Sequence, residues 1–539
     1  MTRSRDRGSD ERQGGARSLP VDLGRYRAIV DDWSAFTEAA GRREPTVFRI
    51  REGRIAEEEL LGRLRGRGFR TRALEGLPGF HMVEKGPRPV ALTPEHWHGL
   101  IYVQQASTGV AAPALGPGPG ERVLDLCAAP GGKTTHMAEL MRDSGCLVAC
   151  EISESRIRGL LGNVYRLGHT NVLVVAGDGR KLPDGATFDR VLVDAPCSGE
   201  GTLRRRGGRA PRQSRSFRGF VTNAQRELLE RAVRLTRPGG TVLYVTCTFA
   251  PEENEAVVSD ALQRLPIDLE PLDLPVPHAR GVAHFEGTQF DARVEGAARI
   301  YPHHLDSGGL FLARLRRLED GDVSTGGSAP TVPRSGSGSR AGGTDGWGPV
   351  TVLLPREHRE ADGARPLAPD PDGSVDRSAE IAEAESLIET GIADLVDRYG
   401  VDPESQGRGW LVRGGRVWSH SLESWPLGAW EEGDSWRPVS VGIRAVEFDT
   451  QGRPRPTNDF LRLLGPEIRR RVVDLDDRSM ANILHRRPVP VEDEDRGPHA
   501  LRYAGEIIGR GAVTGDGLKS EIPKARAADL RRCLPDLDD

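Results

Sequence analysis

The chain has 539 residues, more than one hydrophobic core usually spans, so its length indicates three or four domains. Hydrophobic residues make up 37% and the formal net charge is -4, both ordinary values for a globular protein. No apolar run is long enough to cross a membrane, and the polar segment 1–18 lacks the apolar stretch of a signal peptide, so we expect a disordered tail there. Six cysteines without zinc-type spacing exclude a disulfide framework, predict no metal site and favour the cytoplasm.

Residues 19–113 form the first predicted domain. Amphipathic helix patterns cover 26–40 and 56–65, and short strand patterns cover 47–51 and 80–84. We therefore expect a small α+β unit at this end of the chain.

Residues 114–318 alternate between strand and helix patterns. The predicted strands are 122–126, 146–150, 171–175, 190–193 and 241–245. The predicted helices between them are 134–142, 155–167 and 222–235. Strands that alternate with helices indicate a parallel, doubly wound sheet of the Rossmann-like α/β class.

The segment 319–377 is dominated by Gly, Ser, Pro, Asp and Arg, which predicts a flexible linker and an independently folded region after it. That last region, 378–539, has a helix pattern over 379–399 and further strand patterns, so we expect an α+β fold. A group of tryptophans in it is more typical of a core than of base-stacking platforms: Trp410, Trp418, Trp425, Trp430 and Trp436.

A turn rich in small residues joins the first strand of the alternating region to its first helix. Small side chains let the backbone approach a ligand, and the helix N-terminus offers free N–H groups. The spacing is neither that of a P-loop nor that of a dinucleotide-binding Gly-x-Gly-x-x-Gly motif. We predict that the turn holds a cofactor through Cys127, Ala128, Ala129, Pro130, Gly131, Gly132 and Lys133.

Acidic residues close four successive strands of the alternating region: Asp125, Glu151, Asp178 and Asp194. Glu151 can accept hydrogen bonds from both ribose hydroxyls of an adenosine-type cofactor, and Asp178 can reach the adenine amino group. Four carboxylates would repel a pyrophosphate but suit a cationic adenosyl cofactor, which predicts S-adenosyl-L-methionine. Taken alone, any one of these acids would be interpreted as a cap or a solvated loop residue.

Two cysteines lie just past the ends of strand patterns, Cys197 after 190–193 and Cys247 after 241–245. Ligands of an open parallel sheet bind beyond the carboxyl ends of its strands. A thiolate is the best side-chain nucleophile near neutral pH, so two thiols at one cleft indicate covalent chemistry. The alternative is a pair of buried structural cysteines, because free cysteine is often found in cores.

These motifs resemble those of the RsmB/NOP/NSUN family of RNA cytosine-5 methyltransferases. The matching stretches are 123–135, 194–202 and 244–258, the last with its run Pro251-Glu252-Glu253-Asn254-Glu255. The resemblance extends from about residue 25 to residue 318. It implies a methyltransferase domain over 114–318, an RNA-binding type of domain before it, and S-adenosyl-L-methionine as the methyl donor.

The resemblance also implies a role for each matching site residue. Cys247 would add to C6 of cytosine, which makes C5 enamine-like and able to attack a methyl group. Cys197 would be the base that helps to expel the enzyme afterwards. Asp194 and Lys133 would face the target base. The residues that would hold the cofactor are those from Cys127 to Lys133 together with Glu151, Asp178 and Asp194.

Motifs near the end of the chain are similar to those of the RsmF-like branch. They comprise Gly509-Arg510-Gly511 and, in a chain with few lysines, Lys519 and Lys524. That branch methylates small-subunit ribosomal RNA and carries a PUA-like C-terminal region. The similarity implies 16S rRNA or the small ribosomal subunit as partner and an RNA-positioning role for 378–539, and we expect a monomer.

An arginine-rich segment follows Cys197. Between Arg204 and Arg218 lie seven arginines and no acid, a composition that favours contacts to RNA phosphates. The alternative is a solvated loop in a chain that is rich in arginine throughout. This segment departs from the family pattern, as does Arg49-Ile50-Arg51, where many relatives have Arg-x-Asn.

Two other functions remain open from the sequence. A tRNA cytosine-5 methyltransferase would share the same core, since RNA-binding appendages change the target without changing the chemistry. A non-catalytic RNA-binding ribosome assembly factor on the same fold is the second, since a fold does not determine a function. The intact Cys197, Cys247 and Asp194 argue against the second alternative.

Overall fold

The computed structural model describes residues 21–205, 215–319, 378–402, 408–424, 426, 436–491 and 495–534. The predicted tail 1–18, Trp425, Trp430 and, except for its first residue, the predicted linker 319–377 lie outside the described residues.

The N-terminal region is a small antiparallel sheet with short helices, as its patterns predict. After a 3₁₀ helix at Val21–Ala28, its elements are α1 Trp33–Gly41, β1 Val47–Ile50, α2 Glu57–Gly66, β2 Arg70–Ala73, β3 Phe80–Lys85, α3 Pro94–Trp97, β4 Ile101–Val103, α4 Ala106–Gly109 and α5 Ala111–Leu115. The four strands pair in the order β2-β3-β1-β4. The helix predicted over 26–40 is two elements, because Asp32 accepts the N–H of Ala35 and starts a new helix as its N-cap.

The central region alternates between strands and helices up to its last third, where strands dominate. Its elements are β5 Arg122–Asp125, α6 Gly132–Leu140, β6 Cys146–Glu151, α7 Glu154–Leu167, β7 Val172–Gly177, β8 Phe188–Asp194, α8 Arg215–Leu235, β9 Thr236–Thr246, α9 Glu255–Arg264, β10 Ile267–Glu270, β11 Ala279–Arg280, β12 His284–Phe285, β13 Thr288–Gln289, β14 Ala298–Ile300, α10 Pro302–Leu305 and β15 Leu310–Arg317.

The C-terminal region contributes four helices and nine strands among its described residues. They are α11 Ser378–Tyr399, β16 Gly409–Arg413, β17 Arg416–His420, β18 Trp436–Val441, β19 Ile443–Phe448, β20 Pro454–Pro456, α12 Asn458–Leu464, β21 Val472–Leu475, α13 Asp477–Leu484, β22 Gly497–Tyr503, β23 Glu506–Thr514, β24 Gly517–Ser520 and α14 Lys524–Cys533. Two four-stranded sheets form here, β16-β17-β19-β20 and β21-β22-β23-β24. None of the helices in the described part of the chain combines the length and the hydrophobicity that a membrane-spanning segment requires.

A ten-stranded sheet forms the core of the central region. Its order is β11-β14-β15-β9-β8-β5-β6-β7-β18, with β10 paired to β15. The five strands from β5 to β9 form a parallel block at its centre, in which β5 pairs with β6 and β8, β6 with β7, and β8 with β9. Because the strand order reverses between β5 and β8, their carboxyl ends form the switch point at which such sheets bind ligands. The Rossmann-like α/β prediction is confirmed.

One edge strand of this sheet comes from the C-terminal region. β18 pairs antiparallel with β7, from Trp436 opposite Gly177 to Val441 opposite Leu173. Trp418 and Trp436 are buried, and both belong to the same hydrophobic core as the central strands. Elsewhere the region after 378 has hydrophobic clusters largely of its own, one within 384–507 and one within 475–534 that also includes Trp97, so its separate folding stays a prediction. Its PUA-like character and its role in RNA positioning stay predictions.

Arginines provide a second connection between the three regions, at the C-terminal ends of helices. Arg462 on α12 donates to the carbonyls of Trp97, which ends α3, and Arg166, near the end of α7. Arg54 donates to the carbonyl of Leu463. Helix C-termini carry partial negative charge, so cations stabilise them. The C-terminal region is thereby fixed to both the N-terminal and the central regions.

Candidate active site

A close approach of two backbones brings the loops after β8 and β9 together. The N–H of Gly201 donates to the Cys247 carbonyl at 2.9 Å, and the Gly201 carbonyl accepts the N–H of Gly309 at 2.9 Å. A Cβ atom on Gly201 would lie 2.6 Å from the Gly309 oxygen and 2.9 Å from the Cys247 oxygen. Only glycine fits this position, and the contact holds the two cysteine-bearing loops side by side.

The two predicted catalytic thiols face each other. Sγ of Cys197 lies 3.2 Å from Sγ of Cys247, and the N–H of Cys247 donates to Sγ of Cys197 at 3.3 Å. Both are partly exposed free cysteines, unlike a pair of structural cysteines in a core. The hydrogen bond from the Cys197 thiol lowers the pKa of Cys247 and raises that of Cys197. Cys247 is therefore the better nucleophile, because the thiolate is the reactive form.

A lysine and an aspartate form an ion pair beside the thiols. Nζ of Lys133, in the first turn of α6, lies 2.6 Å from Oδ2 of Asp194, which ends β8. Burial opposes the charge on Lys133, but the Asp194 carboxylate outweighs it and the pKa of Lys133 is raised. The ammonium adds to the lowering of the Cys247 pKa that the Cys197 thiol causes. The structure thus brings together four of the predicted site residues.

The predicted cofactor turn is a tight cradle at the start of α6. Gly131 has φ of 102°, and a Cβ atom there would lie 2.9 Å from Cδ1 of Leu160 on α7. The neighbouring residues Ala128 and Ala129 are buried. Burial raises the pKa of Cys127 well above its usual range, so its thiol stays protonated. The turn therefore offers backbone groups and small apolar surfaces to a ligand.

Glu151 ends β6, and Asp178 directly follows the adjacent strand β7. The Glu151 carboxylate is buried and accepts the N–H groups of Ser153 at 2.9 Å and Ala129 at 3.3 Å. Arg180 donates to both oxygens of Asp178. Both carboxylates are thus held in fixed orientations, although no hydrogen bond among the described residues joins either of them to the thiols.

These residues fit S-adenosyl-L-methionine. A Cβ atom on Gly131 or Gly132 would meet Leu160 or Tyr102, so the glycines let the turn pack closely and present its backbone. The carboxylates provide acceptors for the hydroxyl groups of a ribose and compensation for a cation. Ile152, directly after Glu151, has 63% of its surface exposed and offers an apolar face beside the carboxylate. Sequence reasoning missed Ile152; the signal available was a large apolar residue in an otherwise polar turn.

Asp125, the acid at the end of β5, does not line the cleft. Asp125 is 1% exposed and accepts the hydroxyl proton of Thr134 at 2.7 Å. Burial raises the pKa of Asp125 to about 7. Because Thr134 lies in the first turn of α6, Asp125 braces the start of the helix that carries Lys133.

Buried polar side chains that sequence reasoning did not single out hold the Cys197 loop. Glu253 accepts the N–H of Ser198 at 2.8 Å, and Gln225 on α8 donates to the Pro196 carbonyl at 2.8 Å. Gln225 also donates to Glu253 at 3.1 Å. Glu253 belongs to the acidic run just after Cys247, and a carboxylate so close to a catalytic loop was the signal.

A buried arginine braces the cofactor turn from the N-terminal sheet. Arg49 on β1 is 2% exposed and donates to the Gly132 carbonyl at 3.3 Å. Its guanidinium also pairs with Glu139 of α6 at 3.1 Å. The first arginine of the Arg49-Ile50-Arg51 segment therefore contacts both the start and the end of α6.

The arginine-rich segment is described only at its ends. Arg204 is buried and donates to the Ser307 carbonyl at 3.1 Å, so the prediction that it contacts phosphate is wrong. Arg205 remains exposed, and Arg218 is half-buried. Residues 206–214, with three of the arginines, lie outside the described residues.

One group in the described part of the chain, Asp31, His303 and His304, could offer three ligand atoms to a metal ion. The N–H of Tyr301 donates to Nδ1 of His304 at 3.2 Å. In neutral His304 the proton is then on Nε2, which lies 2.8 Å from the Asp31 carboxylate. This geometry suits a hydrogen bond from His304 to the Asp31 carboxylate.

Comparisons with known proteins point to one family. A family model described as 16S rRNA methyltransferase RsmB/F matches residues 112–316. Ribosomal RNA small subunit methyltransferase F of Aeromonas salmonicida is 30% identical over 452 residues, which cover 82% of each chain. The protein of that name from Erwinia tasmaniensis is 38% identical over 256 residues, 46% of this chain and 50% of the other. Human 28S rRNA (cytosine(4447)-C(5))-methyltransferase is 33% identical over 273 residues, 50% of this chain and 32% of its own.

A solved structure agrees with the fold. The crystal structure of a methyltransferase homolog protein from Pyrococcus horikoshii has a TM-score of 0.50 and 32% identity, and covers 55% of this chain and 94% of that chain. The match spans half or less of the Erwinia and human relatives, but most of the Aeromonas relative. With the paired thiols and the cofactor turn in place, the chain belongs to the RsmB/F methyltransferase family.

Proposed function

We propose that this chain is an S-adenosyl-L-methionine-dependent RNA (cytosine-5)-methyltransferase that acts as a monomer on 16S rRNA of the small ribosomal subunit. The observation that carries the proposal is the pair of thiols 3.2 Å apart, beside the Lys133–Asp194 ion pair at the switch point. Two bacterial relatives named small subunit methyltransferase F support the choice of rRNA over tRNA.

Cys247 begins the reaction by adding to C6 of the cytosine. Its lowered pKa favours the thiolate, and the nearby Lys133 ammonium stabilises that charge. Addition places electron density on C5, which becomes nucleophilic in the way that an enamine is. S-adenosyl-L-methionine, which the cofactor turn with Glu151 and Asp178 would hold, would supply an electrophilic methyl group to C5.

Asp194 and Lys133 orient the base. Cytosine presents an amino group that donates and a ring carbonyl that accepts hydrogen bonds on one edge. A carboxylate and an ammonium 2.6 Å apart can meet both groups at once. Held in this way, the ammonium also stabilises the charge that develops on the base as Cys247 adds to C6.

Cys197 completes the reaction. In the resting site its pKa is raised because its thiol hydrogen-bonds to Cys247. Once Cys247 is a thioether it no longer carries negative charge, so Cys197 releases its proton to solvent more readily. The Cys197 thiolate then takes the proton from C5, the double bond between C5 and C6 re-forms, and Cys247 leaves as a thiolate.

Bisulfite sequencing of total RNA tests the proposal. RNA from cells with the gene, without it, and with only the Cys247→Ala variant is compared for 5-methylcytosine; Cys533→Ala, which changes a cysteine on α14, is the matched control. We expect one or more 16S rRNA cytosines to lose methylation without the gene and with Cys247→Ala alone. Loss confined to tRNA would overturn the proposed substrate, and no loss in any RNA would overturn the proposed activity.

A further inference from the structure

The two thiols of the candidate active site lie almost within bonding distance of each other. Sγ of Cys197 is 3.2 Å from Sγ of Cys247, whereas bonded sulfur atoms are about 2.05 Å apart, so an approach of about 1.1 Å separates the two states. Both cysteines are free and partly exposed. The pair can therefore react with itself once one of the two sulfur atoms becomes electrophilic.

The backbone keeps the two sulfur atoms together. Directly after Cys197, the N–H of Ser198 donates to the buried Glu253 at 2.8 Å, and the N–H of Gly201 in the same loop donates to the Cys247 carbonyl at 2.9 Å. The N–H of Cys247 also donates to Sγ of Cys197 at 3.3 Å. Because the two loops are joined in this way, the remaining approach can come from the two side chains.

Cys247 is the thiol that an oxidant meets first. The hydrogen bond from the Cys197 thiol lowers the pKa of Cys247, and the Lys133 ammonium adds to this effect. Burial raises the pKa of the other four cysteines, which are Cys127, Cys146, Cys150 and Cys533. Thiolate character and exposure govern the oxidation of cysteine, so an oxidant selects Cys247 among the six.

We propose that Cys197 and Cys247 form a reversible disulfide when hydrogen peroxide oxidises Cys247. The Cys247 thiolate attacks one peroxide oxygen, the O–O bond breaks, and the hydroxide that leaves takes a proton from solvent. Cys197 then releases its proton to solvent, and its sulfur attacks Sγ of the Cys247 sulfenic acid. The S–O bond breaks and a second hydroxide leaves, which also becomes water. Two thiols are oxidised to one disulfide, and one peroxide is reduced to two waters.

The disulfide would be a reversible stop on catalysis. A Cys247 sulfur that is bonded to Cys197 cannot add to C6 of a cytosine, and this consequence rests on the proposed function. The bond also shields Cys247 from further oxidation to a sulfinic acid, which thiols do not reverse. A dithiol returns both cysteines to the reduced form by exchange. The oxidised state is therefore inactive and protective at once.

Thiol titration after one equivalent of hydrogen peroxide tests the disulfide without RNA. We expect the wild type to lose two of its six thiols, to yield a linked pair of tryptic peptides that contain Cys197 and Cys247, and to recover both thiols with dithiothreitol. The Cys197→Ala variant should stop at a sulfenic acid on Cys247, which dimedone traps, whereas the wild type should give little dimedone adduct. Cys533→Ala is the matched control and should form the same linked peptides.

Methylation of a 16S rRNA transcript by the same wild-type samples separates the two proposals. Activity should fall in proportion to the disulfide and return with dithiothreitol. Loss of no thiol, a link through another cysteine, or a Cys247 sulfenic acid that persists in the wild type would overturn the disulfide. A disulfide that leaves methylation unchanged would overturn its role as a stop. An untreated enzyme that methylates no RNA would overturn the proposed function alone, because the thiol titration does not depend on activity.

Discussion

The Asp125→Asn variant should be more stable than the wild type above pH 7. Burial raises the pKa of Asp125 from 3.8 to about 7, so the folded chain disfavours the ionised carboxylate. Asparagine is neutral and keeps an oxygen to accept the N–H of Cys127. Its amide can donate to the Thr134 hydroxyl, which can in turn donate to the Ala128 carbonyl 3.2 Å away. Each hydrogen bond that the Asp125 side chain makes therefore keeps a partner. The second amide N–H gains none, which costs about 1–3 kcal/mol, less than the ionisation penalty that the substitution removes.

The magnitude follows from linkage between protonation and folding. In the unfolded chain Asp125 ionises near pH 3.8, whereas the folded chain holds the proton up to about pH 7. The unfolded state loses its proton first, so the contribution of Asp125 to stability falls as the pH rises between these values and is constant above them. The total loss is about 4 kcal/mol, of which about 3 kcal/mol falls between pH 5 and pH 8.

Urea denaturation at pH 5 and pH 8 measures this effect. The difference in unfolding free energy between Asp125→Asn and wild type should grow by about 3 kcal/mol in favour of the variant between the two pH values. Asp516→Asn, at a largely exposed carboxylate, should show almost no growth. If the Asp125→Asn and wild-type stabilities changed in parallel with pH, the account of Asp125 as a buried neutral acid would be refuted.

Three further outcomes are expected. Cys247→Ala should abolish methylation and leave cofactor affinity unchanged in calorimetry; methylation at the wild-type rate would exclude it as the nucleophile. Glu151→Ala should weaken cofactor binding about tenfold or more, and Glu151→Gln, which can still accept the N–H of Ser153, by less; equal affinity in both variants would remove Glu151 from the cofactor site. A chain truncated after residue 319 should aggregate, because loss of β18 exposes the edge of β7; a monomeric truncated protein that binds cofactor would show that β18 is dispensable.

Much of the central region could be predicted from local patterns. Each parallel strand contains a short apolar run with an acid or a cysteine at its end or just after it, and the alternation of strands with helices predicts that these strands are parallel. Cys197 and Cys247 are found in the cleft because both follow strand ends of one sheet. The two candidate reacting groups could therefore be identified from the sequence alone.

Contacts between distant parts of the chain could not be predicted in this way. The segment of β18 looks like any short strand, and nothing local shows that Trp436 pairs with Gly177, so the linker composition alone suggested separate folding. Arg204 stands in a run of arginines that suggests solvent and RNA, yet it is buried against the Ser307 carbonyl. Composition indicates which contacts a side chain can make, but it does not show whether the folded chain buries that side chain.

The central claim is that Cys247 bonds covalently to C6 of a cytosine in RNA and that Cys197 assists its release. Peptide mass spectrometry of the Cys197→Ala variant, after incubation with 16S rRNA and S-adenosyl-L-methionine, tests it directly. We expect a stalled adduct with a methylated cytidine attached to the peptide that contains Cys247. An adduct on another residue, or none while the variant methylates at the wild-type rate, would contradict the account.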